Sequence, residues 1–301
     1  MMKVLPITSA KHVESKNRAW LQKLFYVVSI GVLVACNFAL SKYAVTNGLA
    51  PIDVTVMPMA GAAFVLILLL LIQKKLKISE FNHFQYYVVA GLLGVSLPNL
   101  ASSLALQELN ASTFSVLVTL SPIFTLLFAF PFERKSLTKS KTIGIFVGLL
   151  SALLVTVNPS LETEVTIKSL LIALAVPLLL GAGNVYRSKA FPSKANPIAL
   201  AAGMLTIQSL LWLPVSNISA GWVATGYEWV LGVMTINAAL SYLLTFRFQQ
   251  VTDGVGFSQV GNVVTVTGVL IGVTVYREAM TFELVLAILL LGCSLYLFNK
   301  S

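Results

Sequence analysis

The hexapeptide NFALSK at residues 37–42 recurs in the same N-x-x-x-S-K pattern as NVYRSK at residues 184–189. Three shared positions in six are weak evidence of a duplication by themselves. Both copies, however, close the first long apolar segment of one half of the chain. Their meaning depends on whether the rest of the chain also divides into two matching halves.

The apolar content of the chain indicates an integral membrane protein. Of its 301 residues, 57% are apolar and only 10% are charged, whereas about 25% of the residues in soluble domains are charged. The run from Ala62 to Ile72 contains no polar side chain, and about 20 apolar helical residues span the ~30 Å hydrocarbon core of a bilayer. Long apolar runs without strand alternation favour helices over a β-barrel.

The sequence predicts an all-α protein with ten transmembrane helices after a basic tail at residues 1–23. The apolar run from Leu24 to about Val45 is too long for the apolar region of a signal peptide, so we expect it to remain as the first helix. The ten predicted segments are 24–45, 53–73, 85–106, 112–132, 141–157, 168–188, 197–216, 228–246, 255–276 and 282–298.

The lysines and arginines support this number of helices, because cytoplasmic loops are enriched in them. The tails and alternate loops hold 17 of the 20 basic residues, with Arg187 counted in the loop after the sixth helix; Lys42, Lys168 and Arg277 fall on the other side. We therefore expect both termini in the cytoplasm. This distribution also explains the net charge of +9 by membrane topology, so we expect the lipid bilayer, and not nucleic acid, as a partner.

The chain also shows a second set of matches between its halves. The hexapeptides lie 147 positions apart, and three later pairs lie 143 positions apart: Arg134 with Arg277, Thr138 with Thr281, and Ser151 with Ser294. A gap of four residues reconciles these offsets and predicts two repeats of five helices, at residues 24–157 and 168–299. Because five is odd, the second repeat enters the membrane from the opposite side, an inverted arrangement that recurs in secondary transporters.

Several stretches then suggest a family. They are Asn37-Phe38 with Lys42-Tyr43 and Pro51, NLASSLALQELNAS at 99–112, LSPIF at 120–124 and REAMT at 277–281. In this order they resemble the EamA-like, ten-helix branch of the drug/metabolite transporter superfamily, over nearly the whole chain after Lys23. The resemblance implies a secondary transporter that exports small polar or amphipathic metabolites. One departure is Met59, which stands where the family often has an arginine.

Polar side chains within the predicted helices are the candidates for a substrate site, because a polar group in hydrocarbon is costly unless it faces a partner or a cavity. We predict a central cavity lined by Asn37, Asn99, Ser103, Asn184, Asn237, Tyr242, Gln259 and Asn262. The same side chains can instead join helices through hydrogen bonds worth ~0.6–2 kcal/mol each. The sequence leaves both roles open.

Three other features concern architecture. Pro122 removes a backbone hydrogen bond from the predicted fourth helix and acts either as a hinge or as a static kink. The fifth and tenth predicted helices are nearly all apolar, so we expect them to serve packing or a homodimer contact and not the cavity. Lys42 and Lys189 each end a predicted helix, where a cation complements the helix dipole and its long side chain reaches water.

Enzyme classes fit the sequence poorly. Its histidines, His12 and His83, and its aspartates, Asp53 and Asp253, all fall outside helix centres, so intramembrane protease sites lack their members. There is no P-loop, and we expect neither a metal nor a cofactor.

The alternatives to export are uptake, multidrug efflux or a non-transporting membrane scaffold. A bacterial inner membrane is the expected location, and a small molecule the expected substrate. The sequence does not specify the substrate, the coupling ion, the direction of transport or the oligomeric state.

Overall fold

The computed structural model describes residues 7–75, 82–132, 139–156, 166–192, 194–217 and 226–299, and these residues form helices and connections without any strand. The helices are α1 (Ile7–Thr46), α2 (Pro51–Ile72), α3 (Phe84–Gly91), α4 (Leu97–Ala105), α5 (Ala111–Val118), α6 (Ser121–Ala129), α7 (Lys139–Thr156), α8 (Ile167–Ala190), α9 (Pro197–Trp212), α10 (Glu228–Gln249), α11 (Gly254–Ser258), α12 (Val260–Thr274) and α13 (Phe282–Asn299).

Eight helical segments in the described residues are long and apolar enough to cross a membrane. They are Trp20–Thr46, Pro51–Ile72, Phe84–Ala105, Ala111–Ala129, Ile167–Ala190, Pro197–Val215, Glu228–Gln249 and Gly254–Thr274. Shorter apolar stretches lie in α7, at Thr142–Ser151, and in α13, at Phe282–Ser294. The prediction of an all-helical, multi-pass membrane protein is confirmed.

The starts of several helices follow from local sequence. Side-chain oxygens of Thr166, Asn196 and Asp253 accept hydrogen bonds from the first-turn N–H groups of α8, α9 and α11, which otherwise have no partner. Pro51 and Pro197 are the first residues of α2 and α9, where the absence of an N–H costs nothing.

The structure differs from the predicted helices at four places. Helix α1 begins at Ile7, well before Leu24. The predicted third helix contains a π turn at Leu92–Ser96 between α3 and α4. The predicted fourth helix is broken between α5 and α6, directly before Pro122, and the ninth is broken at Gln259 between α11 and α12.

The long helices pack in a consistent set of pairs. Helix α1 packs against α10 and α12, α8 against α4 and α6, α2 against α9 and α10, α5 against α12, and α7 against α13. The side chains of Phe64, Phe146, Ile236 and Leu289 are at least 60% exposed on the outside. Apolar exposure of this extent is expected of a surface that faces lipid.

Helices α7 and α13 run antiparallel, as their hydrogen bonds demonstrate. The hydroxyl of Ser151 donates to the carbonyl of Ala287 at 2.7 Å, and the hydroxyl of Ser294 donates to the carbonyl of Gly144 at 2.6 Å. The later serine of each helix thus contacts the earlier carbonyl of the other.

Helices α5 and α12 are antiparallel as well. The hydroxyl of Thr265 donates to the Ser115 carbonyl at 2.9 Å, and it also lies against the hydroxyl of Thr119. Further along α12, Gly272 packs closely against the backbone of Ser112.

Candidate functional site

A central cavity of about 140 Å³ lies among α1, α2, α4, α8, α10, α11 and α12. Its walls are largely apolar and include Ile30, Val34, Phe38, Met59 and Met234. Since one water needs about 10–15 Å³ of such space, the cavity can hold a small organic molecule. No described residue of α7 or α13 lines it.

Five of the eight predicted site residues line this cavity: Asn37, Asn99, Ser103, Asn184 and Tyr242. The amide nitrogen of Asn99 donates to the Tyr242 hydroxyl at 3.2 Å, which joins α4 to α10. The hydroxyl of Ser103 is hydrogen-bonded to a hydroxyl of α1 at 2.9 Å. The side-chain oxygen of Asn37 is buried without a hydrogen-bond partner among the described residues, so it remains an acceptor for a ligand.

The other predicted residues lie outside the lining of this cavity. The amide of Asn237 donates to the Leu33 carbonyl at 2.7 Å and so joins α10 to α1. Asn262 donates to the Gln259 side-chain oxygen at 2.8 Å, across the break between α11 and α12. Pro122 is buried in the first turn of α6. The bond of Asn237 is of the helix-joining kind that the sequence left open.

Arg187 is a cavity residue that the predicted site did not include, and its placement in a cytoplasmic loop was wrong. It belongs to α8, its side chain is 3% exposed, and it is the only charged residue in the described lining of the cavity. Its Nη2 donates to the Asn184 side-chain oxygen at 2.8 Å, and its Nε donates to the Gly183 carbonyl at 3.3 Å. The spacing of Asn184 and Arg187, three residues apart on a helix, was the available signal.

The guanidinium occupies a space that neighbouring residues leave for it. A Cβ atom at Gly94, in the π turn, would lie 2.9 Å from the Arg187 Cζ. The ring of Phe257 lies on another side, with its centroid 5.3 Å from the same atom, a distance at which a cation is attracted to the face of a ring.

The π turn itself is stabilised by Gln208 of α9. The Gln208 Nε2 donates to the carbonyls of Tyr87 and Val88 at 3.0 and 3.1 Å, and its Oε1 accepts from the Ser96 hydroxyl at 2.7 Å. Gln208 is fully buried, so these bonds satisfy its amide and hold the π turn in place. π turns are frequent at functional sites.

A polar cluster lies near the end of α1. The Lys42 ammonium donates to the Leu109 carbonyl at 2.7 Å and lies 3.8 Å from the Glu278 carboxylate. Glu278 also accepts from the N–H groups of Ala111 and Ser112 at 2.6 and 2.9 Å, so it sits at the positive N-terminus of α5. The expectation that Lys42 extends to water was therefore wrong, because it binds groups within the protein.

Tyr276 completes this cluster. Its hydroxyl donates to the Ala39 carbonyl of α1 at 2.6 Å, and its ring lies 5.5 Å from the Lys42 ammonium. Burial raises the pKa of Tyr276 to about 12, so the hydroxyl keeps its proton and remains a donor at neutral pH. We call Lys42, Glu278 and Tyr276 the closing cluster.

Comparison with known proteins agrees with this architecture. Residues 21–157 match the profile of the EamA-like transporter family. A relative from Bacillus subtilis named uncharacterized transporter YvbV is 23% identical over 94% of this chain and 92% of its own length. An uncharacterized transporter from Archaeoglobus fulgidus is 25% identical over 59% of this chain, and the match spans 61% of that relative's length.

A solved crystal structure of a protein shares the fold, with a TM-score of 0.66 over 91% of this chain and 96% of its own, at 16% identity. The apolar helices define the class as a multi-pass integral membrane protein, and the relatives from Bacillus subtilis and Archaeoglobus fulgidus carry the name of transporters. More particularly, residues 21–157 are similar to the EamA-like transporter family, in agreement with the resemblance indicated by the motifs.

Proposed function

We propose that the protein is a secondary transporter that exports a small polar or amphipathic metabolite by alternating access at the central cavity. In this proposal, ten membrane helices form two inverted halves of five, both termini are cytoplasmic, and the location is a bacterial inner membrane. The observation that carries the proposal is the cavity itself, which combines apolar walls with the polar groups of Asn37, Asn99 and Tyr242 at the interface of helices from both halves.

The hydrogen bonds between α7 and α13 support the inverted repeat. Ser151 and Ser294 are equivalent at the offset of 143 residues, and so are their acceptors, Gly144 and Ala287. Two equivalent bonds between equivalent, antiparallel helices are what a two-fold axis in the membrane plane would produce. The pair Asn99 and Tyr242 is also separated by 143 residues, so equivalent positions of α4 and α10 meet at the cavity.

The packing pairs support the same relation between the halves. In the two proposed halves, α8 is the equivalent of α1, α4 of α10, and α6 of α12. The packing of α1 against α10 and α12 therefore has its counterpart in the packing of α8 against α4 and α6, and all four pairs are present. Rocking of one half against the other would then open the cavity first on one side and then on the other. The closing cluster, at the end of α1 that we assign to the external side, would have to separate during each cycle.

A flux assay tests the proposal. The purified protein is reconstituted in liposomes, and the exit of labelled amino acids, organic acids, nucleosides and amines is measured against liposomes without protein. We expect substrate-specific flux of at least one class, and an intact, folded protein without flux of any class would refute the function.

A matched pair of variants tests the site in the same assay. Asn99→Ala removes a polar group from the cavity and is expected to lower the flux at least tenfold, about the effect of 1.4 kcal/mol lost in binding. Asn262→Ala removes an amide outside the cavity lining and is expected to lower it much less. Equal effects of the two substitutions would contradict the assignment of the cavity as the transport site.

A further inference from the structure

Arg187 carries a charge that the described residues do not neutralise. No carboxylate of the described residues forms an ion pair with its guanidinium. The described residues accept only two of its five N–H bonds, through Gly183 and Asn184. Burial of a charge without a counter-ion is unfavourable, so the buried guanidinium destabilises the folded protein.

The surroundings of Arg187 form a site for that cation and not an accidental contact. Gly94 leaves space for the guanidinium, Asn184 orients it, and Phe257 covers it. The π turn that contains Gly94 is held by three hydrogen bonds with Gln208, two that its amide nitrogen donates and one that its oxygen accepts from Ser96. The guanidinium is thus positioned in the cavity wall with N–H groups free for a ligand.

We propose that Arg187 binds the carboxylate of the transported molecule, which would be a small amphipathic monocarboxylate. Guanidinium and carboxylate match in geometry and form two parallel hydrogen bonds. Arg187 is the only charged residue in the described lining, so one negative charge balances the cavity. The apolar walls near Met59 and Met234 then take the apolar body of the molecule, and Tyr242 lines the same cavity.

That the bound molecule is transported rests on the proposed function, but its binding can be measured without transport. The protein is placed in lipid nanodiscs, and its thermal unfolding is followed with hexanoate and phenylacetate as probes. Hexanamide and phenylacetamide serve as neutral probes of the same shape, inorganic phosphate serves as a second anion, and sodium chloride keeps the ionic strength equal.

We expect both carboxylates to raise the unfolding temperature in a saturable way, while the amides and phosphate do not. Arg187→Gln should abolish the carboxylate effect, and Arg187→Lys should weaken the affinity about tenfold, because a lysine lacks the paired donors. Arg247→Gln is the matched control, since Arg247 is exposed in the last turn of α10 and outside the cavity; it should keep the full response.

A further variant covers the case in which Arg187→Gln does not fold. Gly94→Ala keeps the charge but pushes the guanidinium away from the π turn, and it should also weaken carboxylate binding. The inference is overturned if no carboxylate stabilises the parent protein, if the amides or phosphate stabilise it equally, or if the response persists in both Arg187→Gln and Gly94→Ala.

The two proposals fail in different ways. Carboxylate binding that depends on Arg187, in a protein without flux, would refute the transport function alone. Flux of neutral or cationic compounds that is unchanged in Arg187→Gln, without carboxylate binding, would refute this inference alone.

Discussion

Substitution of Glu278 by glutamine should open the cavity at the end that the closing cluster seals. The carboxylate accepts hydrogen bonds from the N–H groups of Ala111 and Ser112 and from the Ser112 hydroxyl at 2.5 Å, and it lies beside the Lys42 ammonium. A glutamine has one acceptor oxygen, so one N–H of α5 would face an NH₂ group, and Lys42 would lose its counter-charge.

The size of the effect follows from these contacts. Hydrogen bonds to a charged group contribute ~1.5–3 kcal/mol each, and the substitution removes the equivalent of one to two of them. The closed arrangement should therefore lose about 3 kcal/mol relative to the open one, which corresponds to a population shift of roughly 100-fold, since 1.4 kcal/mol is a factor of ten.

Cysteine accessibility measures this shift. Cys36 and Cys293 are replaced by serine, and Ser102, which lines the cavity and is 1% exposed, is replaced by cysteine. The rate of modification by the small, membrane-impermeant thiol reagent MTSES is then measured from the side of the closing cluster. Glu278→Gln should raise this rate by one to two orders of magnitude, in proportion to the open population.

The matched control is Glu283→Gln. Glu283 lies in the first turn of α13, close in sequence to Glu278, and forms no ion pair among the described residues, so its substitution should leave the rate unchanged. Equal rates for the parent protein and Glu278→Gln would refute the role of the closing cluster, because the closed arrangement would then not depend on the carboxylate.

Two further predictions concern stability in lipid, measured by thermal unfolding. Gln208→Leu removes three hydrogen bonds of the π turn and leaves buried carbonyls unpaired; it should destabilise the protein by ~2–4 kcal/mol. Gln250→Leu, which loses one long bond of 3.5 Å at an exposed residue, should cost much less, and equal costs would contradict the proposed support of the π turn. Gly181→Ala places a Cβ 2.7 Å from a side-chain carbon of α6 and should cost ~1–3 kcal/mol through overpacking. A Cβ at Gly232 would meet no atom within 4 Å, so Gly232→Ala should be neutral or stabilising. If it destabilised the protein as much as Gly181→Ala, packing of α8 on α6 would not explain the effect of Gly181→Ala.

The helices and the relation of some distant residues could be predicted from the sequence. Apolar length identified the membrane segments because hydrocarbon thickness sets the length of a helix. Ser151 and Ser294, which were matched by their spacing alone, each donate a hydrogen bond between α7 and α13. A motif spaced at a constant offset therefore carried three-dimensional information.

The roles of individual amides could not be predicted, because residues of one type differ only in what packs against them. Asn99 faces the cavity and contacts Tyr242, whereas Asn237 donates to the carbonyl of Leu33, which is 204 positions away. No local pattern distinguishes these outcomes. The π turn was hidden for the same reason, because its carbonyls are satisfied by Gln208 from α9.

The burial of Arg187 was hidden by a rule that usually holds. Basic residues near helix ends normally face water on the cytoplasmic side, and Arg187 lies within one turn of the end of α8. Gly94, in the π turn between α3 and α4, has no side chain, and this leaves space for the Arg187 guanidinium inside the protein. Lys42 was assigned to water by the same reasoning and is instead held by Glu278 and Leu109.

In the proposed transport cycle, one cavity opens in turn to the two sides of the membrane. The most direct test uses the single cysteine at position 102 in sealed liposomes of known orientation, with MTSES added first to one side and, in a separate sample, to the other. Alternating access predicts modification of this same cysteine from each side, with a rate from the side of the closing cluster that rises in Glu278→Gln. Modification from one side only, in both the parent protein and Glu278→Gln, would contradict the claim.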